Sequence, residues 1–87
     1  MTPKRAFFSE KIGSLSRFPD GMRGTVVNIL AEPDLQGRLM GMGLFVGTRF
    51  QLLRGNGTSR NIPLLLAIGE TRIAVDHHIA EMILVEP

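Results

Sequence analysis

Apolar positions along this chain change period within a few residues. Leu35, Leu39 and Met42 fall at i, i+4 and i+7, one face of a helix, while Phe50 and Leu52 alternate with Arg49 and Gln51 as in a half-buried strand. Between them Gly43 stands where a helix C-terminus favours a left-handed residue, and Gly47 stands where the chain must turn before Thr48. Gly43 and Gly47 are therefore read as a structural hinge, a backbone task that needs no ligand.

The same reading along the chain predicts strands over residues 23–30, 48–54, 62–68, 71–75 and 83–85. Pro19-Asp20-Gly21 is a turn before the first strand, and Gly24 inside that strand signals a bulge or a close backbone approach. Glu32-Pro33-Asp34 starts a helix of about two turns, whose interior glycines leave its stability to the packing of Leu35, Leu39 and Met42. Asn56-Gly57 is a hairpin signal, Gly69-Glu70 has the type II′ pattern, and Asp76 caps a short turn through Met82. The expected fold is mainly β: a small barrel of about five strands, with one short helix after the first strand and a helical turn before the last. Residues 1–13 read as a flexible extension, anchored if at all by Phe7 and Phe8, and residues 14–87 as the domain.

Composition narrows the function classes. The chain has 87 residues and no cysteine, which removes disulfides, thiolate metal sites and thiol nucleophiles. It lacks a secretory signal pattern and any apolar run of membrane-spanning length, so a cytoplasmic location is expected, with membrane contact only indirect. The pI of 9.9 suggests a polyanion binder, yet the net charge is only +2. Lys4, Arg5, Lys11 and Arg17 against Glu10 give the first 17 residues +3, leaving −1 for the remainder. Electrostatic attraction thus belongs to the tail, and no nucleic-acid partner is expected.

The segment Arg38-Leu39-x-x-Met42-Gly43-Leu44-x-x-Gly47-Thr48, then Pro63, Arg72-Ile73-Ala74-Val75, Ala80 and Ile83-x-Val85, resembles the FeoA family of bacterial ferrous-iron transport accessory proteins. The likeness runs over about residues 14–86; the family's usual Leu-x-Pro-Gly reads Leu44-Phe45-Val46-Gly47 here. The resemblance implies an SH3-like β-barrel, a cytoplasmic location, and action through contact with FeoB, a permease with a cytoplasmic GTP-hydrolysing domain. Similar barrels form the C-terminal domain of metal-dependent repressors.

Candidate chemistry is sparse. His77, His78 and Glu81 are weak metal candidates: adjacent histidines on a helical turn diverge by about 100°, and His77 with Glu81 supplies two ligands where zinc usually takes three or four. Gly41-x-Gly43-x-x-x-Gly47 follows a helix instead of opening one, the wrong geometry for a phosphate loop. Neither an acid–base pair nor a dinucleotide fingerprint is apparent, so neither catalysis nor a cofactor is expected. The reading is an interaction module; the alternatives are a nucleic-acid-binding barrel and a metal-responsive domain using His77 and His78. Strand alternation leaves Leu53, Leu65, Ala67 and Leu84 on the outer parity, with Phe45 in a loop. These five are the candidates for a partner contact or a homo-oligomer surface. The competing expectation is that the N-terminal segment, with Phe7, Phe8 and Leu15, covers that face.

Overall fold

The computed structural model describes residues 12–55 and 60–87. Phe7, Phe8 and the rest of the first 11 residues, and the Asn56-Gly57 turn signal, lie outside them. Among the described residues six strands form one antiparallel sheet: β1 (Gly13–Ser14), β2 (Arg23–Ile29), β3 (Arg49–Arg54), β4 (Leu64–Ile68), β5 (Thr71–Val75) and β6 (Ile83–Glu86). Their spatial order is β1-β6-β2-β3-β4-β5. A helix, α1 (Pro33–Gly41), follows β2, and a single turn, α2 (His77–Ala80), precedes β6. This is the mainly-β barrel expected, with one strand more. The two-residue β1 was hidden because so short a strand has no period to read; it pairs Gly13 with Val85 and Ser14 with Leu84.

Alternation places Val26, Phe50, Leu52, Leu64, Leu66, Ile73, Val75, Ile83 and Val85 in one buried core. Two bulges maintain it. Between Val26 and Asn28 the register against β6 shifts, so that Ile29 is buried opposite Ile83 while Asn28 is exposed. A second shift lies between Leu52 and Arg54. Gly24 is the close approach expected: a Cβ there would lie 2.7 Å from the Glu86 carbonyl oxygen and 2.8 Å from Phe18 Cζ. Phe18 and Phe50 meet over this glycine with ring centroids 5.4 Å apart and planes tilted by 56°. At the β4–β5 turn Gly69 has φ +60° and Glu70 has no positive φ, as a type II′ turn requires.

Three expectations need correction. Leu15 does not cover the outer face; it is fully buried in the core, on a short 3-10 turn, Leu15–Arg17, whose Ser14 cap accepts from the Ser16 N–H. Met42 does not hold α1 down, because it is the C-cap residue and 41% exposed; Leu39 and Leu44 are the buried pair instead. The strand expected from residue 62 begins at Leu64, since Pro63 has no N–H for a ladder and Ile62 stays exposed with its carbonyl against His77. No helix among the described residues is long and apolar enough to cross a membrane.

Candidate docking site

The end of α1 is a Schellman motif. Gly43, at φ +93°, lets its own N–H bond to the Met40 carbonyl and the Leu44 N–H to the Leu39 carbonyl, both at 2.9 Å. Leu44 is thereby folded back onto Leu39, and both are buried. The chain then turns outward through Phe45 and Val46 and returns at Gly47, φ +96°. Thr48 is buried at 6% exposure and ties the loop to itself: its hydroxyl donates to the Gly43 carbonyl and accepts from the Phe45 N–H, each at 3.0 Å. The loop is also tied to the sheet, through Gly47 N–H to the Val26 carbonyl at 2.8 Å and Val26 N–H to the Thr48 carbonyl at 2.9 Å.

A loop held this closely still exposes apolar side chains. Phe45 is 43% exposed and Val46 57%, with Met40 at 60% on the last turn of α1 and Met42 beside it. Beside them a groove of about 210 Å³ lies between α1 and the β5–α2 junction, lined by Leu35, Leu39, Met42, Val75 and Ile79 with Arg38 at its rim. The arrangement offers apolar contact on a preorganised frame, which lowers the ordering cost of binding.

The residues expected on the outer parity are distributed differently. Leu53 sits in the second bulge, Leu65 and Leu84 are half-buried on β4 and β6, and Ala67 lines a shallow depression of about 430 Å³ with Arg23, Arg49 and Gln51. Phe45 alone of the five is among the strongly exposed apolar residues, so the structure does not bring the five into one patch. Sequence reasoning missed Met40, Val46 and Thr48. The signal for Met40 was available, since it lies off the Leu35-Leu39 face of the helix; the role of Thr48 depends on the loop's closure and had no local signature.

The metal candidates also separate. His77 is buried, its Nε2 lying 3.0 Å from the Ile62 carbonyl oxygen, whereas His78 is exposed. Glu81 faces Arg60 at 3.2 Å, an exposed pair. Asp76 Oδ1 accepts from the Ile79 N–H at 2.8 Å, the expected cap. Among the described residues no three His, Cys, Asp or Glu side chains converge as a metal would need.

The model of the FeoA domain matches residues 13–87 of this sequence. The chain belongs to the FeoA domain family. Solved FeoA structures share its fold: an iron uptake regulatory protein (FeoA) is 29% identical, with 86% of this chain and 95% of that one covered, at TM-score 0.73. The FeoA protein from Chlorobium tepidum is 28% identical over 84% of this chain and 68% of its own, at TM-score 0.71. A manganese-dependent transcriptional repressor, 22% identical over 86% of this chain and 41% of its own, shares the fold at TM-score 0.74. Comparison with curated proteins finds no match. Membership identifies the SH3-like barrel and sets the Met40–Val46 region within a FeoA domain.

Proposed function

We propose that this FeoA-family chain is an accessory protein of bacterial ferrous-iron transport, working in the cytoplasm by docking on the soluble, GTPase-bearing part of an FeoB-type permease. The observation that carries the reading is the exposure of Phe45 and Val46 on a loop fixed at both ends by Gly43, Gly47 and Thr48. Large apolar groups on a rigid rim are the anchors that interfaces use, and water gives no return for keeping them there. The reading assigns no catalytic group. A nucleic-acid role is less well supported: Phe50 lines the depression beside Arg23 and Arg49 but is only 4% exposed, and Phe18 is buried too, so among the described residues neither ring offers a face for bases to stack on.

Calorimetric titration of the protein with the soluble GTPase-bearing part of the permease tests this. Saturable binding that weakens in Phe45→Ser while the fold persists supports docking by the loop. Binding unaffected by that substitution places the contact elsewhere.

A further inference from the structure

Among the described residues β5 is the last strand of the sheet and pairs with β4 alone. Its register is Ile68 with Thr71, Ala67 with Arg72, Leu66 with Ile73, Leu65 with Ala74 and Leu64 with Val75. Hydrogen-bonded and non-hydrogen-bonded pairs alternate in an antiparallel ladder, and a two-residue turn closes on the pair that flanks it, here Ile68 and Thr71. Thr71, Ile73 and Val75 therefore direct their backbone groups to β4. The N–H and C=O of Arg72 and Ala74 point away from the sheet, and no hydrogen bond to either is formed among the described residues. Sheets commonly protect such an edge with proline, a bulge or a covering segment. β5 has no proline and no register shift, and Thr71, Arg72 and Ala74 are exposed.

The groove between α1 and β5 runs beside this edge. At about 210 Å³ it exceeds the roughly 150 Å³ apolar cavity that suffices for a benzene ring, and its walls are Leu35, Leu39, Met42, Val75 and Ile79. Arg38 stands at the groove and Arg72 on the strand, both exposed and without an ion pair among the described residues. Asp76 also borders the groove, with one carboxylate oxygen committed to the cap of α2.

We propose that the free edge of β5 takes an extended segment of a protein partner as a seventh strand, with an apolar side chain in the groove and acidic flanking residues at Arg38 and Arg72. Strand addition supplies backbone hydrogen bonds for affinity and a pocket for alternate side chains, and the two arginines select the charge of the segment. A second copy of this chain is a poorer occupant, since antiparallel pairing of β5 with itself puts Arg72 of both copies on the same face of the ladder, where an acidic segment would complement it. The proposal rests on the reading of the chain as a docking module and adds the chemistry of what docks.

Nuclear magnetic resonance with a capped heptapeptide alternating Glu with Val and Leu tests it on the full chain. The peptide should shift residues of β5 and α1 saturably and slow amide exchange at Arg72 and Ala74 by at least about tenfold, while those of Ile73 and Val75 are protected already. Ala74→Pro removes an outward N–H that β4 does not use, a substitution edge strands tolerate, and should abolish binding. The pair Arg38→Glu and Arg72→Glu, both at exposed positions, should weaken binding by about tenfold or more and gives an independent reading if the proline variant does not fold. No saturable shift up to about 1 mM peptide, equal binding of a version with Lys for Glu, or a free-protein dimer with Arg72 and Ala74 already protected would overturn the proposal. Loss of peptide binding alongside intact, Phe45-dependent binding of the permease domain would remove only the β5 edge and leave the docking function standing.

Discussion

The Thr48 hydroxyl donates to the Gly43 carbonyl at 3.0 Å, across the loop that carries Phe45, and receives the Phe45 N–H in return. Thr48→Val keeps the shape of the side chain and removes both bonds within a buried site, so it should lower stability by about 1 to 3 kcal/mol and speed exchange of the Phe45 amide. Thr48→Ser should keep most of both. Urea midpoints of the two variants, with exchange at Phe45, check the pair; equal midpoints would show that the hydroxyl does not hold the loop.

Gly43 and Gly24 should fail for different reasons. A Cβ on Gly43 would touch nothing within 4 Å, so Gly43→Val is opposed by its φ of +93° alone, at about 1 to 3 kcal/mol. Gly43→Asn should be milder, since asparagine accepts left-handed backbone more readily. Gly24→Ala is instead opposed by contact with the Glu86 carbonyl and Phe18, and thermal unfolding should report a loss of about 1 to 3 kcal/mol. A Gly24→Ala midpoint equal to that of the parent would mean that the Glu86 carbonyl and the Phe18 ring both give way freely.

The two histidines separate in the same way. His77→Ala removes a buried ring from its contact with the Ile62 carbonyl and should cost about 1 to 3 kcal/mol, while His78→Ala should stay within about 0.5 kcal/mol. Thermal midpoints measured with and without a chelator should coincide for the parent protein. A midpoint that falls on chelation and recovers with added metal would restore the metal-responsive alternative.

Much of the fold was legible because it rests on local signals. Alternation gave Phe50, Leu52, Leu64, Leu66, Ile83 and Val85 their inward places, while Ile68, expected inward with them, is only partly buried against the core; Pro33, Asp76 and Gly69 marked helix starts and a turn. What was not legible depends on contacts between segments distant in sequence. The pairing of β1 with β6 and the burial of Leu15 form only when residues 13–15 meet the last strand, and no periodicity announces them. The bulges at Val27 and Leu53 shift parity by one residue, which is why a strict alternation misjudged how exposed Leu53 would be. Of the site, Phe45 was visible as a large group in a loop, whereas Met40 and Val46 joined it through the Schellman turn.

The shallow depression bordered by Arg23 and Arg49 gives a check on the polyanion alternative. Binding of single-stranded or duplex nucleic acid should fall steeply with salt, with no retention at about 150 mM. Sub-micromolar retention at that salt would contradict an interaction module for proteins.

Docking through the Phe45 loop is tested most directly by titrating the parent and Phe45→Ser proteins into the GTPase-bearing domain of the cognate ferrous-iron permease. Phe45 is already 43% exposed, so the substitution should leave the thermal midpoint nearly unchanged. The predicted result is saturable binding by the parent and a loss of about tenfold or more in affinity for the variant, the effect of truncating an interface anchor. No heat of binding for the parent, or equal affinity for both proteins, would contradict it.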